Sequence, residues 1–172
     1  MLMGNSGKNK LVICGVIGLL MASAFYLRTQ SYLHSTTRTI DELIYYHLGA
    51  NLLHQGLKGY HTQQFSQLLL NIHPEFAPLP DYMTDRLFKH PPLFSFLVMF
   101  SLKIFGEHYL SALYVSAVFN SLMILLVYLI GKTFYDETTG VIAAFLIWLD
   151  PISIMSSQKI WLDSTLSFFM VL

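Results

Sequence analysis

The chain has 172 residues, of which 54% are hydrophobic and 12% charged, whereas soluble domains average about 25% charged residues. That composition excludes an ordinary soluble domain and describes a membrane protein. Ten basic residues balance ten acidic ones, so there is no basic face for nucleic acid. The single cysteine, Cys14, rules out an intrachain disulfide and a cysteine-built zinc site.

Leu11 to Leu27 is the first apolar run, bounded by Lys10 and Arg28. It is short beside the roughly 20 residues that a helix needs to cross a bilayer, but it is continuous. Lys8 and Lys10 before the run, with Ala22-Ser23-Ala24 near its end, also have the pattern of a cleaved leader. The run continues past that point through Phe25-Tyr26-Leu27, which favours an uncleaved anchor with a cytoplasmic N-terminus.

Asp41 to Gln55 reads as a helix. Ile44, Leu48 and Leu52 recur at intervals of four with Leu43 and Leu53 beside them, while His47, Asn51, His54 and Gln55 form a polar side. Gly56 and Gly59 end it, and such a helix would lie in the membrane surface. Thr39-Ile40-Asp41-Glu42 fits a capping box, in which hydroxyl and carboxylate satisfy free backbone N–H groups, and acidic residues suit the positive end of a helix dipole. The functional alternative is that Asp41 takes a proton from an incoming nucleophile or holds a metal ion. The two accounts are compatible if Glu42 caps while Asp41 faces a cleft. Tyr60 to Lys89 reads as an outer loop with one short helix around Phe65 to Leu70.

Lys89-His90-Pro91-Pro92 stiffens the chain, because each proline restricts the residue before it. Its cations either turn a corner or neutralise a phosphate at the membrane surface. Pro92 to Phe105 is apolar but only 14 residues long and interrupted by Lys103, a length that suits an interfacial or re-entrant helix. Tyr109 to Gly131 is a 23-residue stretch without a charge, and Thr138 to Gln158 is apolar apart from Asp150, with Pro151 kinking it. Asp150 reads as a helix-end or interfacial residue. A partial span, 160–172, reaches the last residue, so the chain reads as the N-terminal part of a longer protein.

These elements predict an all-α integral membrane protein: a multi-span helical bundle with interfacial helices in a first outer loop, 28–108. If Pro92 to Phe105 does not cross, Asp41 and Asp163 share the outer side; if it does, they are separated. Asp163 lies between Leu162 and Ser164 in an apolar stretch, and ionisable residues in such places mark functional sites by default. The alternative is that it caps the fourth helix. The seven histidines lack the H-E-x-x-H spacing of a metalloprotease.

Several sites now agree. Asp41-Glu42 with Tyr45-Tyr46, Leu52-Leu53 and Gly56, then His90-Pro91-Pro92-Leu93, Ile104-Phe105-Gly106, Tyr128 to Phe134, Pro151 and Leu162-Asp163 follow in order. In this the chain resembles the C-type glycosyltransferase superfamily, in the branch of protein O-mannosyltransferases and aminoarabinose transferases. Each motif is weak alone, and the ordered set is more specific.

The resemblance implies a multi-pass enzyme of the cell membrane with a truncated C-type glycosyltransferase fold. Such an enzyme transfers a sugar from a polyprenyl-phosphate donor to a protein, lipid or glycan acceptor on the outer face. It makes Asp41 the general base and places Asp163 in the same cleft, with both as ligands if a divalent metal ion is present. Glu42, Lys89, His90 and Lys159 become candidates for binding substrate, the cations by stabilising the departing lipid phosphate. Lys89-His90 departs from the aminoarabinose branch, where an acidic residue precedes the lysine of the Lys-Pro corner, and this leaves metal dependence open. A non-catalytic assembly or transport component, with Asp41 and Asp163 serving only as caps, is the competing expectation.

Overall fold

A computed structural model describes residues 4–34, 38–72, 74–77 and 92–172. The described residues are helices joined by turns, and two of these helices are long and apolar enough to cross a membrane. The chain is an all-α membrane protein. It divides into two compact units, residues 1–34 with 116–172, and residues 35–115.

In the first unit, α1 (Gly4–Leu33) contains the first candidate span, Asn9–Gln30, and is longer at both ends than the apolar run alone indicates. The second candidate span is α5 (Tyr109–Phe134), whose residues from Ser116 onward belong to this unit. α6 (Glu137–Leu149) and α7 (Pro151–Ser157) are two halves of an apolar segment bent by 57°. The kink expected at Pro151 is present. Asp150 takes an extended conformation, φ −61° and ψ 117°, as a residue before proline prefers. Pro151 opens α7, a first-turn position at which its missing N–H is harmless. The Ser153 backbone N–H donates to Asp150 Oδ2 at 2.6 Å, so Asp150 caps α7 and holds the corner.

Ile17 and Ala24 of α1 pack with Ile124 and Tyr128 of α5 and Ala144 of α6 to form the core of this unit. α5 and α6 approach backbone to backbone at two glycines. A Cβ at Gly140 would stand 2.6 Å from the Tyr128 carbonyl oxygen, and one at Gly131 would stand 2.8 Å from Gly140 Cα. Small residues permit such contact between membrane helices. Gly140→Leu is therefore expected to cost stability at the upper end of the roughly 1–3 kcal/mol typical of overpacking. A lowered unfolding midpoint in detergent would register it; an unchanged midpoint would mean that the two helices do not touch there.

The second unit is built on α2 (Ile40–Gln55) and α4 (Pro92–Phe105), with α3 (Gln63–Ile72) beyond the turn Gly56–Gly59. α4 has the 14-residue length expected, and α3 extends slightly beyond the expected 65–70. Tyr45, Leu48, Gly49 and Leu52 are buried along one stripe of α2. Tyr45 meets Phe94 edge to face at 4.9 Å between centroids, and a Cβ at Gly49 would lie 2.5 Å from Val98 Cγ1. α2 thus has a protein partner along its apolar face. Full burial of Leu48 and Leu52 contributes about 2 kcal/mol each.

One expectation on this helix is corrected. Asn51 is buried, not part of an exposed polar side, because its Nδ2 donates to the His61 carbonyl at 2.8 Å and fastens the turn after α2 to the helix. Gly106, at φ +92°, ends α4 in a conformation that favours glycine. Ser101 Oγ then donates to the Ser111 carbonyl and ties α4 to the start of α5.

Candidate functional site

The candidate site in the first unit grows out of the Asp150 corner. α7 leads into a turn at 158–162, and α8 (Asp163–Val171) follows. Together with α5 and the end of α6 these segments enclose a cleft of about 400 Å³, within the 300–1,000 Å³ range usual for small-molecule sites. Asp150 and Asp163 both line it, with Asn120, Trp161 and Ser153, Ser156, Ser164 and Ser167. Met123, Ile147, Ile152 and Met155 supply its apolar wall. Carboxylates, an amide, hydroxyls and one indole make a surface able to hold a polyhydroxylated ligand by hydrogen bonds and stacking.

The two carboxylates differ. Asp150 is half-buried and engaged at Oδ2 by the cap bond. Asp163 is exposed in the first turn of α8. The residue flanking that helix is Leu162, which has no capping side chain, so Asp163 stands one position inside the helix and does not occupy the cap. No hydrogen bond to its carboxylate occurs among the described residues. The amide of Asn120 is held through Nδ2, which donates to the Ser153 carbonyl and to Ser153 Oγ. Its Oδ1 is buried and has no partner among the described residues, although the residue is only 3% exposed. An unsatisfied buried acceptor costs about 1–3 kcal/mol unless something donates to it. Ser116 Oγ donates to the Trp161 carbonyl at 3.0 Å and fixes that turn. Lys159 Nζ lies 4.4 Å from the centre of the Trp161 ring, so this cation rests on the aromatic wall of the cleft.

In the second unit the capping box is realised. Glu42 N–H donates to Thr39 Oγ1 at 3.4 Å, and Thr39 N–H donates to Glu42 Oε2 at 2.9 Å. Glu42 is 2% exposed, whereas its neighbour Asp41 is exposed at the helix start and has no hydrogen bond among the described residues. Capping therefore consumes Glu42 and leaves Asp41 unengaged. Near the other end of α2, His54 Nε2 pairs with Glu107 Oε2 at 2.9 Å, and Tyr46 OH donates to the Glu107 carbonyl at 3.2 Å. Burial pushes the Tyr46 hydroxyl above its ordinary value, and the Tyr109 and Glu107 charges add to this. Burial holds the His47 imidazole below its ordinary value, favouring the neutral ring.

Lys89 and His90 lie outside the described residues. Asp41 belongs to the second unit, and Asp163 and Lys159 to the first. Asp150 and Asn120 were not singled out as site residues from sequence. For Asp150 a signal was present: Asp-Pro-x-Ser is a helix-start pattern, and a cap on a corner is well placed to line a cleft. Asn120 gives no such signal, because one amide in a long apolar helix has many possible roles. Among the described residues, no three His, Cys, Asp or Glu side chains gather so as to hold a metal ion.

No curated protein and no solved structure matches the chain. Residues 89–172, which include the Asp150–Asp163 cleft but not Asp41, are similar to the family described as dolichyl-phosphate-mannose-protein mannosyltransferase.

Proposed function

We propose that the chain serves as a membrane glycosyltransferase. It takes a sugar from a polyprenyl-phosphate donor and passes it to a protein, lipid or glycan acceptor on the outer face. The observation that carries this reading is the cleft holding Asp150, Asp163, Asn120 and Trp161, which falls inside the segment similar to the mannosyltransferase family. In this reading the cleft binds the sugar, with Trp161 against its apolar face and the carboxylates and Asn120 on its hydroxyls. Asp41 takes the proton from the acceptor as the acceptor attacks the anomeric carbon. The bond to the lipid phosphate breaks, and a cation stabilises the departing phosphate. Lys159, Lys89 and His90 are the candidates for that last task. Glu42 supports the site as a cap. If a divalent metal ion takes part, Asp41 and Asp163 are its candidate ligands.

The second reading, a non-catalytic assembly or transport component, draws support from Glu42 and Asp150, which do serve as caps. It makes Asp41 and Asp163 helix caps, whereas Thr39 occupies the cap of α2 and Leu162 that of α8. The transfer reading requires both to face the same side of the membrane. Single cysteines at positions 41 and 163, in a chain whose Cys14 is replaced by serine, should be labelled by an impermeant maleimide from that one side. Labelling from opposite sides eliminates a shared active site.

A further inference from the structure

Arg28 marks the end of the first apolar run in sequence, yet it is 2% exposed, near the end of a candidate membrane span. Its Nε donates to Ser157 Oγ at 3.0 Å, Nη1 to the Ala24 carbonyl at 3.2 Å and Nη2 to the Trp148 carbonyl at 3.5 Å. Trp148 is in α6 and Ser157 ends α7, so one guanidinium from α1 reaches both arms of the 57° bend. All three acceptors are uncharged. A buried charge held by neutral groups is a costly way to fill space, and an apolar side chain of similar volume often serves stability as well or better. What arginine adds is a rigid fork whose donors fix several acceptors at once.

The bonds continue from Ser157 to the cleft. Ser157 Oγ, which accepts from Arg28, donates in turn to the Ser153 carbonyl at 2.7 Å and shares its proton with the Ile154 carbonyl at 2.9 Å. Asn120 Nδ2 donates to the same Ser153 carbonyl at 3.3 Å and to Ser153 Oγ. Ser153 and Asn120 line the cleft, whereas Arg28 and Ser157 do not. Hydrogen bonds therefore run without a break from Arg28 of α1, through Ser157 and Ser153 of α7, to Asn120 of α5. α6 has its own tie to α1, because Trp148 Nε1 donates to Ser23 Oγ at 3.0 Å; Arg28 carries the attachment across the bend to α7.

On the reading that this cleft holds the sugar, we infer that Arg28 is a positioning residue, which through Ser157 and Ser153 holds the Asn120 amide in place to bind a sugar hydroxyl. Arg28 itself touches no substrate. Transfer is measured in membranes carrying the full-length gene product, with polyprenyl-phosphate mannose as donor and turnover normalised to folded protein. Arg28→Lys keeps the charge but cannot span the three acceptors. Ser157→Ala leaves the arginine in place and cuts the connection after it, which covers the case in which the lysine variant misfolds. Each is expected to raise the donor KM about 3- to 10-fold, the worth of one neutral hydrogen bond, with kcat per folded molecule retained. A purely structural residue would lower the amount of folded enzyme and leave KM alone.

Asn120→Ala should raise KM at least as far. Adding Ser157→Ala to it should raise KM no further, because both changes act through one amide, whereas independent effects would multiply. An unchanged KM in Ser157→Ala, or in a folded Arg28→Lys, overturns the inference and leaves sugar transfer standing. So do KM increases that multiply in the double variant. A wild type that transfers no sugar removes the function proposed above, and the inference with it.

Discussion

Replacing Asp41 by asparagine is expected to abolish sugar transfer while leaving the protein inserted and folded. The loss should be about 10²- to 10⁴-fold, the usual contribution of a general base. Local structure supports the separation of activity from stability. The capping box is made by Thr39 and Glu42, and Asp41 has no hydrogen bond to lose among the described residues. Its remaining structural contribution is its charge near the helix N-terminus, about 0.3–1 kcal/mol.

Glu42→Ala should behave in the opposite way. That carboxylate is buried and accepts from the Thr39 backbone N–H and hydroxyl, so its loss should cost about 1 kcal/mol and reduce abundance. Turnover per inserted molecule should be retained. The assay is transfer from a polyprenyl-phosphate sugar in membranes carrying the full-length gene product, normalised to its amount. Normal turnover by Asp41→Asn would remove Asp41 as the base, and loss of turnover with loss of protein would reduce it to a structural residue.

Legibility in the sequence followed the range of the interactions concerned. The capping box, the helix 92–105 and the break at Asp150-Pro151 are set within a few residues. There a hydroxyl, a carboxylate or a proline ring acts on the nearest backbone, and all three were readable. Burial of Asn51 depends on the carbonyl of His61, which a turn brings back to α2. A helical-wheel pattern alone places that amide on the polar side.

Arg28 shows the same limit over a longer range. Next to an apolar run a lone arginine reads as the membrane boundary, yet its partners are Trp148 and Ser157. The candidate cleft was half legible. Asp163 stands out as a charge in an apolar stretch, whereas Asp150 and Asn120 join it only because α5, the α6–α7 corner and α8 converge.

The cleft supplies a second separation of activity from stability, between its two aspartates. Asp163→Asn removes a carboxylate that caps no helix and accepts no hydrogen bond among the described residues. Its effect on stability should be limited to the loss of a charge in the first turn of α8, about 0.3–1 kcal/mol. Transfer should fall by at least an order of magnitude, because in the proposed chemistry that carboxylate holds the sugar. Asp150→Ala loses the cap on the Ser153 N–H, at about 0.5–2 kcal/mol, and loosens the corner that positions Ser153 and, through it, Asn120.

Asp150→Asn distinguishes the two tasks of that residue, since asparagine caps as well as aspartate but carries no charge. Near-normal stability with lost transfer would assign Asp150 to the ligand as well as to the fold. Recovery of both would confine it to the corner and leave Asp163 as the acidic group of the cleft. If Asp163→Asn instead destabilises the protein and leaves turnover per molecule intact, the cleft is not the sugar site. The acidic residues of this chain would then serve its helices, as the non-catalytic reading requires.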